Sequence, residues 1–137
     1  MLISQIMTPE VIVASPNDTL RSAALTMAEH DLGILPVCEN GELVGMLSDR
    51  DITIRAVARG LSLDDTRINQ LLGTEARYMY EDQTVEDAAS YMKRFQVRRL
   101  PVLNSEYQLV GIISLADLAL TDSSAATEAL IGISQPA

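Results

Sequence analysis

The chain contains no tryptophan, one phenylalanine, one cysteine and one histidine, and it is short of positive charge. Each shortage excludes a class of function. Cys38 has no partner for an internal disulfide, so a stapled secreted scaffold is not expected and a reducing, cytoplasmic setting is. With aromatic residues at 4%, no platform exists on which several bases would stack. Ten Lys and Arg stand against nineteen Asp and Glu, a formal charge of -9, so the broad basic face that duplex binding needs is missing and nucleic acid is not an expected partner. Apolar runs are broken by Asp, Arg, Gly or Pro well before the roughly 18 residues of a membrane span, so no membrane partner is expected either. The opening MLISQIMTPE has no basic flank ahead of a long apolar core and is not expected to act as a secretory signal. Catalysis is equally short of means. His30 is the one histidine, no Ser or Cys has an evident His and acid set, and no Gly-rich phosphate loop of the Walker type occurs, so the chain is not expected to be an enzyme.

What the sequence does have is a duplication. Thr19, Ala23, Ala24, Met27, Leu35, Pro36 and Val37 recur 65 residues later as Thr84, Ala88, Ala89, Met92, Leu100, Pro101 and Val102. After one inserted turn residue, Leu43, Val44, Gly45, Ser48 and Asp51 recur 66 residues later as Leu109, Val110, Gly111, Ser114 and Asp117. The insertion separates ENGE from NSEYQ, both turn-like, where an extra residue does least harm.

One repeat predicts the elements of both. Val11 to Ala14 is a short β-branched run before the breaker Ser15-Pro16, which reads as a strand. Asp18 is placed to cap a helix whose apolar stripe is Leu20, Ala23, Ala24, Met27 and Ala28, matched by Val85, Ala88, Ala89 and Met92. ILPVCE and LVGMLS flank Asn40-Gly41, a strong hairpin signal. A second helix follows each hairpin, DRDITIRAVARG with Gly60 as its stop, and LADLAL. The order is β-α-β-β-α twice: repeat one over 1–62, a linker over 63–75 with a helical turn at Ile68 to Leu72 mirroring Ile3 to Met7, repeat two over 76–122, and a tail over 123–137 with a short helix around Ala125 to Ile131. Neither repeat of about 60 residues buries enough surface to be safe alone, so the two are expected to share an interface. Ile52, Ile54, Ala56, Val57 and Ala58, and Leu115, Ala116, Leu118, Ala119 and Leu120, run most of the way round their helices. Burial on two sides is therefore expected, against the repeat's own sheet and against a second copy of the chain, or else under the folded-back tail.

The chemistry concentrates in Gly-h-h-Ser-x-x-Asp, where h is apolar, present as Gly45 to Asp51 and as Gly111 to Asp117. Ser48 and Ser114 stand where a strand enters a helix, with an acid one turn on. That is a capping box variant, and it is also the chemistry of an anion and ribose site: free helix N–H groups, and a carboxylate able to accept from a diol. The tandem β-α-β-β-α order, the Pro-Val segments Ile34 to Val37 and Arg99 to Val102, and the paired Ser-x-x-Asp motifs resemble paired cystathionine-β-synthase (CBS) domains, a Bateman module, from about Ile6 to Leu120. The run Ser48 to Ile52 is similar to that of small stand-alone bacterial or archaeal members.

The resemblance implies an α/β (α+β) fold of two CBS repeats packed with pseudo-two-fold symmetry, and a regulatory sensor. Its implied ligand is AMP, ADP, ATP or adenosylmethionine, bound in clefts between the repeats, with signalling to an unidentified protein target and disc-shaped homodimers. Carried over by position, one site would use Ser114 and Asp117 with Val97, Arg98, Arg99, Leu100 and backbone near Tyr78 to Tyr80. The other would use Ser48 and Asp51 with Leu32, Gly33, Ile34, Leu35 and backbone near Val11 to Val13. Arg98 and Arg99 favour the former for phosphate, since a guanidinium suits bidentate phosphate contacts. Arg50 and Arg55 are further candidates, solvated helix-surface arginines being the plainer reading. The alternative function is a scaffold whose sites are vestigial and whose apolar helices dimerise. No resident cofactor or metal is expected: some members of the family bind metals, but His30 and Cys38 fall short of a zinc ligand set. Asp49, Asp51, Asp64 and Asp65 read as helix-dipole partners, and Cys38 as a buried, inert thiol.

Overall fold

The computed structural model describes residues 1–73 and 76–136. The chain forms two compact units, a continuous one over Ile12–Ala76 and a split one that joins Met1–Val11 to Arg77–Ala137. In chain order the elements are α1 (Ile3–Ile6), α2 (Leu20–His30), β1 (Ile34–Glu39), β2 (Glu42–Ser48), α3 (Asp49–Asp51) running on as a π-helix over Ile52–Val57, and a 3-10 turn at Ile68–Gln70. They continue with β3 (Met79–Tyr80), α4 (Val85–Phe95), β4 (Arg99–Leu103), β5 (Leu109–Ser114), α5 (Leu115–Thr121) and α6 (Ser123–Ile133). No helix among the described residues is long and apolar enough to cross a membrane.

The duplication is visible in the backbone. β1 pairs antiparallel with β2, and β4 with β5, each pair carrying a register irregularity at the same place, Val37/Cys38 and Val102/Leu103. Asn40 and Gly41 take φ of 54° and 80°, the pair of positive values that a two-residue hairpin turn demands. Helices α2 and α4 both end on a left-handed residue, Asp31 and Gln96. Their buried faces are Leu20, Ala23 and Met27, and Val85, Ala88, Ala89 and Met92, the stripes expected from spacing except that Ala24 is half-buried and Ala28 exposed.

Four local expectations are corrected. The strand at Val11 to Ala14 is reduced to one parallel bridge: Ala14 alone donates to Pro36 O (2.9 Å) and accepts from Cys38 N (2.9 Å), since the turn at Ser15-Pro16 follows at once. The cap of α2 is Thr19, whose hydroxyl accepts from Ser22 N at 3.1 Å; the Asp18 carboxylate reaches back instead to Ser15 N at 2.9 Å and closes that turn. The helix after Ser48 is α-helical for one turn and then widens, with Ala58 N donating to Thr53 O at 2.9 Å, before Gly60 (φ 73°) stops it as anticipated. The tail helix is longer than expected, eleven residues capped by Asp122, and it folds back on α4 and α5. Its Ala125, Ala126 and Ala129 are buried, so in the split unit the tail covers part of the face that was open to a second copy. Leu120 remains 85% exposed, and Ile54 and Val57 on the first repeat's helix are 45% and 55% exposed.

The compact units do not follow the repeat bounds, because the opening turn of repeat one packs with the second repeat and the linker turn packs with the first. Ile3 N donates to Gln83 O (2.8 Å), Ser4 N to Glu81 O (3.0 Å) and Val85 N to Met1 O (2.9 Å). The equivalents 65 residues on do the same in the continuous unit: Ile68 N to Asp18 O (2.9 Å), Asn69 N to Pro16 O (3.0 Å) and Leu20 N to Thr66 O (3.0 Å). Ile3 and Ile68 are both wholly buried, Ile3 in the core with Met79, Val85, Met92 and Ile113, Ile68 in the core with Leu20, Met27, Leu35 and Leu47. The linker turn is thus core, not connection.

Glycine makes this docking possible at two matching points. A methyl group on Gly111 would lie 2.6 Å from Met7 Sδ and 3.0 Å from Thr8 O, and one on Gly45 would lie 3.0 Å from a Leu72 methyl. Overpacking of this kind costs roughly 1–3 kcal/mol. Gly111→Ala is expected to lower stability in chemical denaturation by about that amount. Gly45→Ala should cost less, because only a side chain has to yield there.

Candidate functional site

The two Ser-x-x-Asp motifs adopt one geometry. Ser48 Oγ accepts from Asp51 N at 3.0 Å and Asp51 Oδ2 accepts from Ser48 N at 2.9 Å. Ser114 Oγ accepts from Asp117 N at 3.1 Å and Asp117 Oδ2 accepts from Ser114 N at 2.9 Å. Both are complete capping boxes, and all four residues are half-buried. The cap occupies one carboxylate oxygen of each Asp; among the described residues nothing bonds Oδ1 of either. Each motif therefore keeps a hydroxyl proton and a carboxylate oxygen available to a ligand while it ends a strand and starts a helix.

The backbone sets further groups beside each motif. Arg99 pairs with Ser114 across β4 and β5, and Arg98 O accepts from Leu115 N at 2.8 Å. In the continuous unit Ile34 pairs with Ser48, and Gly33 O accepts from Asp49 N at 2.9 Å. The surroundings differ in charge. In the split unit the pair is Arg98 and Leu115; in the continuous unit the same places hold Gly33 and Asp49, with a carboxylate oxygen 3.5 Å from where a Gly33 methyl would stand. Two guanidiniums at one motif and a carboxylate at the other make the first far more hospitable to an anion.

Arg98, Arg99 and Ser114 line a single cavity of about 550 Å³, within the 300–1,000 Å³ range of small-ligand sites. Its remaining walls are Leu115, Ala116 and Ala119 of α5 and Ser123, Ala126, Thr127 and Leu130 of α6. Both arginines are exposed, and neither takes part in an ion pair among the described residues, where the two such pairs are Arg21–Asp64 and Lys93–Glu128. Leu100 is fully buried core and Val97 packs against that core, so their part in any site is through backbone. Leu35 is likewise core and Ile34 half-buried. Asp117 does not line the cavity, although it caps the helix that does. Arg50 and Arg55 are exposed helix residues. The α6 wall was missed from sequence; its signal was the cap Asp122 followed by small residues at Ala125, Ala126, Ala129 and Gly132.

Near Tyr78 to Tyr80 the rings of Tyr78, Tyr80 and Tyr107 pack edge to face, 5.2 to 6.5 Å between centroids, and Tyr107 hydroxyl bonds to that of Tyr78. The Tyr107 hydroxyl holds the Tyr78 phenol protonated above its ordinary range, and the Tyr78 hydroxyl does the same for Tyr80. His30 ends α2 on the surface, Cys38 is half-buried in β1, and among the described residues no three His, Cys, Asp or Glu side chains cluster as a metal site. Burial pushes the Cys38 thiol up, because a thiolate there would lose hydration.

The CBS domain family model matches residues 3–57 and 69–122. The chain is 41% identical to the CBS domain-containing protein YhcV of Bacillus subtilis over 130 residues, 93% of this chain and 91% of YhcV. It is 39% identical to Hypoxic response protein 1 of Mycobacterium tuberculosis over 115 residues, 83% of this chain and 80% of that protein. A crystal structure of Hypoxic Response Protein I with two coordinated zinc ions superposes with a TM-score of 0.81 at 35% identity, covering 88% of this chain and 98% of that one. The CBS domain pair of protein MJ0100, solved with 5′-methylthioadenosine and S-adenosyl-L-methionine, superposes with a TM-score of 0.75 at 25% identity, covering 88% of this chain and 98% of that one.

The raised thiol gives a pH signature. The unfolded chain ionises Cys38 first, so stability owed to the protonated thiol is full below the ordinary thiol range and falls as pH rises through it. Alkylation followed by mass spectrometry is expected to be slow in the native protein at neutral pH. It should accelerate on unfolding by more than exposure alone gives a free peptide thiol.

Proposed function

Because the chain belongs to the CBS-domain family, we propose that it is a regulatory CBS pair that binds an adenosyl ligand and signals its presence to a protein partner. The ligand class is AMP, ADP, ATP or adenosylmethionine, the partner is not identified by chemistry on the chain, and the setting proposed is cytoplasmic, as a homodimer without catalysis or resident cofactor. The observation that carries the reading is the meeting of Arg98, Arg99 and Ser114 at one cavity. Unpaired guanidiniums and a serine hydroxyl supply donors for a phosphate, and the apolar Leu115, Ala116, Ala119 and Leu130 supply a surface for a base. Asp117 Oδ1, outside the cavity lining but on the helix that walls it, is the acceptor proposed for ribose hydroxyls that project from the cavity, by analogy with the acids of dinucleotide sites. Ser48 and Asp51, with Ile34 and Leu35 across the β1–β2 pair and Arg50 next in sequence to Asp51, form the second proposed site, preferring a ligand of low negative charge because Asp49 stands beside it. The likeness to a CBS pair solved with adenosyl compounds supports the class of ligand. A ligand acts as a signal only to the extent that it binds one arrangement of the protein better than another.

A second reading, a scaffold acting through its apolar helices, is favoured by one observation: Leu120, Val57 and Ile54 leave bare apolar side chains on helices.

Isothermal titration with AMP, ATP and adenosylmethionine separates the two. Asp117→Asn keeps an oxygen for the Ser114 N–H and replaces the free oxygen by a donor, so it tests the ribose contact without opening the cap. Loss of a hydrogen bond to a charged group costs about 1.5–3 kcal/mol, or roughly ten- to a hundredfold in affinity. That loss is expected for AMP in Asp117→Asn and in Arg99→Ala, with adenosylmethionine weakened by the first and much less by the second. Asp51→Asn reports the other motif. Heat of binding from none of the three ligands, together with self-association that Leu120→Asp abolishes, would establish the scaffold instead.

A further inference from the structure

Helix α6 lies outside both family-matched segments, 3–57 and 69–122, yet it supplies four of the ten residues around the Arg98 and Arg99 cavity. From this placement we infer that α6 is a ligand-contacting wall of this site, and that Ser123 and Thr127 determine which ligand the cavity holds. The inference rests on the adenosyl reading and adds the residues that set its selectivity.

Three observations carry it. First, the helix is held at the cavity by contacts from α4: Gln96 Nε2 donates to Gln135 O at 2.9 Å, Lys93 pairs with Glu128 at 3.6 Å, and Gly132 sits so close that a methyl group there would lie 2.9 Å from Lys93 Cα. A wall so seated is a fixed surface on which hydroxyls are positioned. Second, the polar atoms are available. Thr127 Oγ1 donates backward to Ser123 O at 2.8 Å, which spends its proton and leaves its lone pairs free, and Ser123 Oγ has no partner among the described residues. Third, the wall completes a mixed lining. Ala126 and Leu130 extend the apolar surface of Ala116 and Ala119, while Ser123 and Thr127 stand four residues apart on one helix face, about 6 Å along the axis. A ligand with an anionic end on the guanidiniums and a flat body on the alanines would present its remaining polar edge to these hydroxyls.

The test is titration of AMP and of adenosine into the full chain and into the double variant Ser123→Ala with Thr127→Val, which removes both hydroxyls at nearly constant volume. A variant Thr127→Leu, which narrows the cavity, provides a steric control, and circular dichroism with a thermal scan confirms that each folds. About tenfold weaker AMP binding in the double variant, and a still larger loss in Thr127→Leu, is expected. AMP binding by wild type that both variants leave unchanged would overturn the inference while the adenosyl reading stands. No binding by wild type, with Arg99→Ala equally inert, would overturn the adenosyl reading and this inference with it.

Discussion

Both cores of the molecule depend on one exchange: the opening turn of repeat one is buried with strands of repeat two, and the linker turn with strands of repeat one. Ile3 and Ile68 fill equivalent places, anchored by equivalent backbone bonds from the residues beside them. Each isoleucine is wholly buried, and burying such a side chain is worth roughly 1.5–3 kcal/mol. Neither core is complete within the residues of one sequence repeat, so half of the chain cannot be treated as an independently folding module. The strands beside these turns are short, two residues in β3 and a single bridge at Ala14.

The Ser-x-x-Asp motif stands at the point where that framework meets chemistry. Its first task is structural, since a strand that becomes a helix leaves N–H groups that need acceptors. The capping box satisfies two of them with one oxygen each from Ser and Asp. Because a carboxylate has two oxygens and a hydroxyl both donates and accepts, the same residues retain one acceptor and one donor afterwards. Stability and recognition thus draw on different atoms of the same side chains. This is why an alanine substitution at either position confounds the two and an Asp to Asn exchange does not.

Much of this was legible in the sequence because the duplication supplied every signal twice. Asn40-Gly41, the alanine-bearing helix stripes and the paired Ser-x-x-Asp motifs rest on local rules that tertiary context did not override, and the family they resemble is the family shown by comparison. The errors fell where a local signal had two valid outcomes. Asp18 and Thr19 can each cap a helix, and the carboxylate went to the turn behind it. Val11 to Ala14 has strand composition, but the breaker that bounds it left room for one bridge. The linker carried apolar Ile68 and Leu71 among Asp, Thr and Gly, and composition gave no sign that these two side chains complete a distant core. Of the candidate site, the arginines and the serine of the second repeat are legible in the sequence; the α6 wall is not, because a helix rich in alanine at a chain end reads as readily as fraying.

The close approach of Gly132 to Lys93 has one more effect. A helix resting on its neighbour through a glycine has a single seat: advancing or retreating by one residue would bring Ile131 or Ile133 to a spot with no room for even a methyl group. A one-residue register shift is therefore closed to α6. The register of the wall, and with it which side chains it turns toward the cavity, is set by that one glycine.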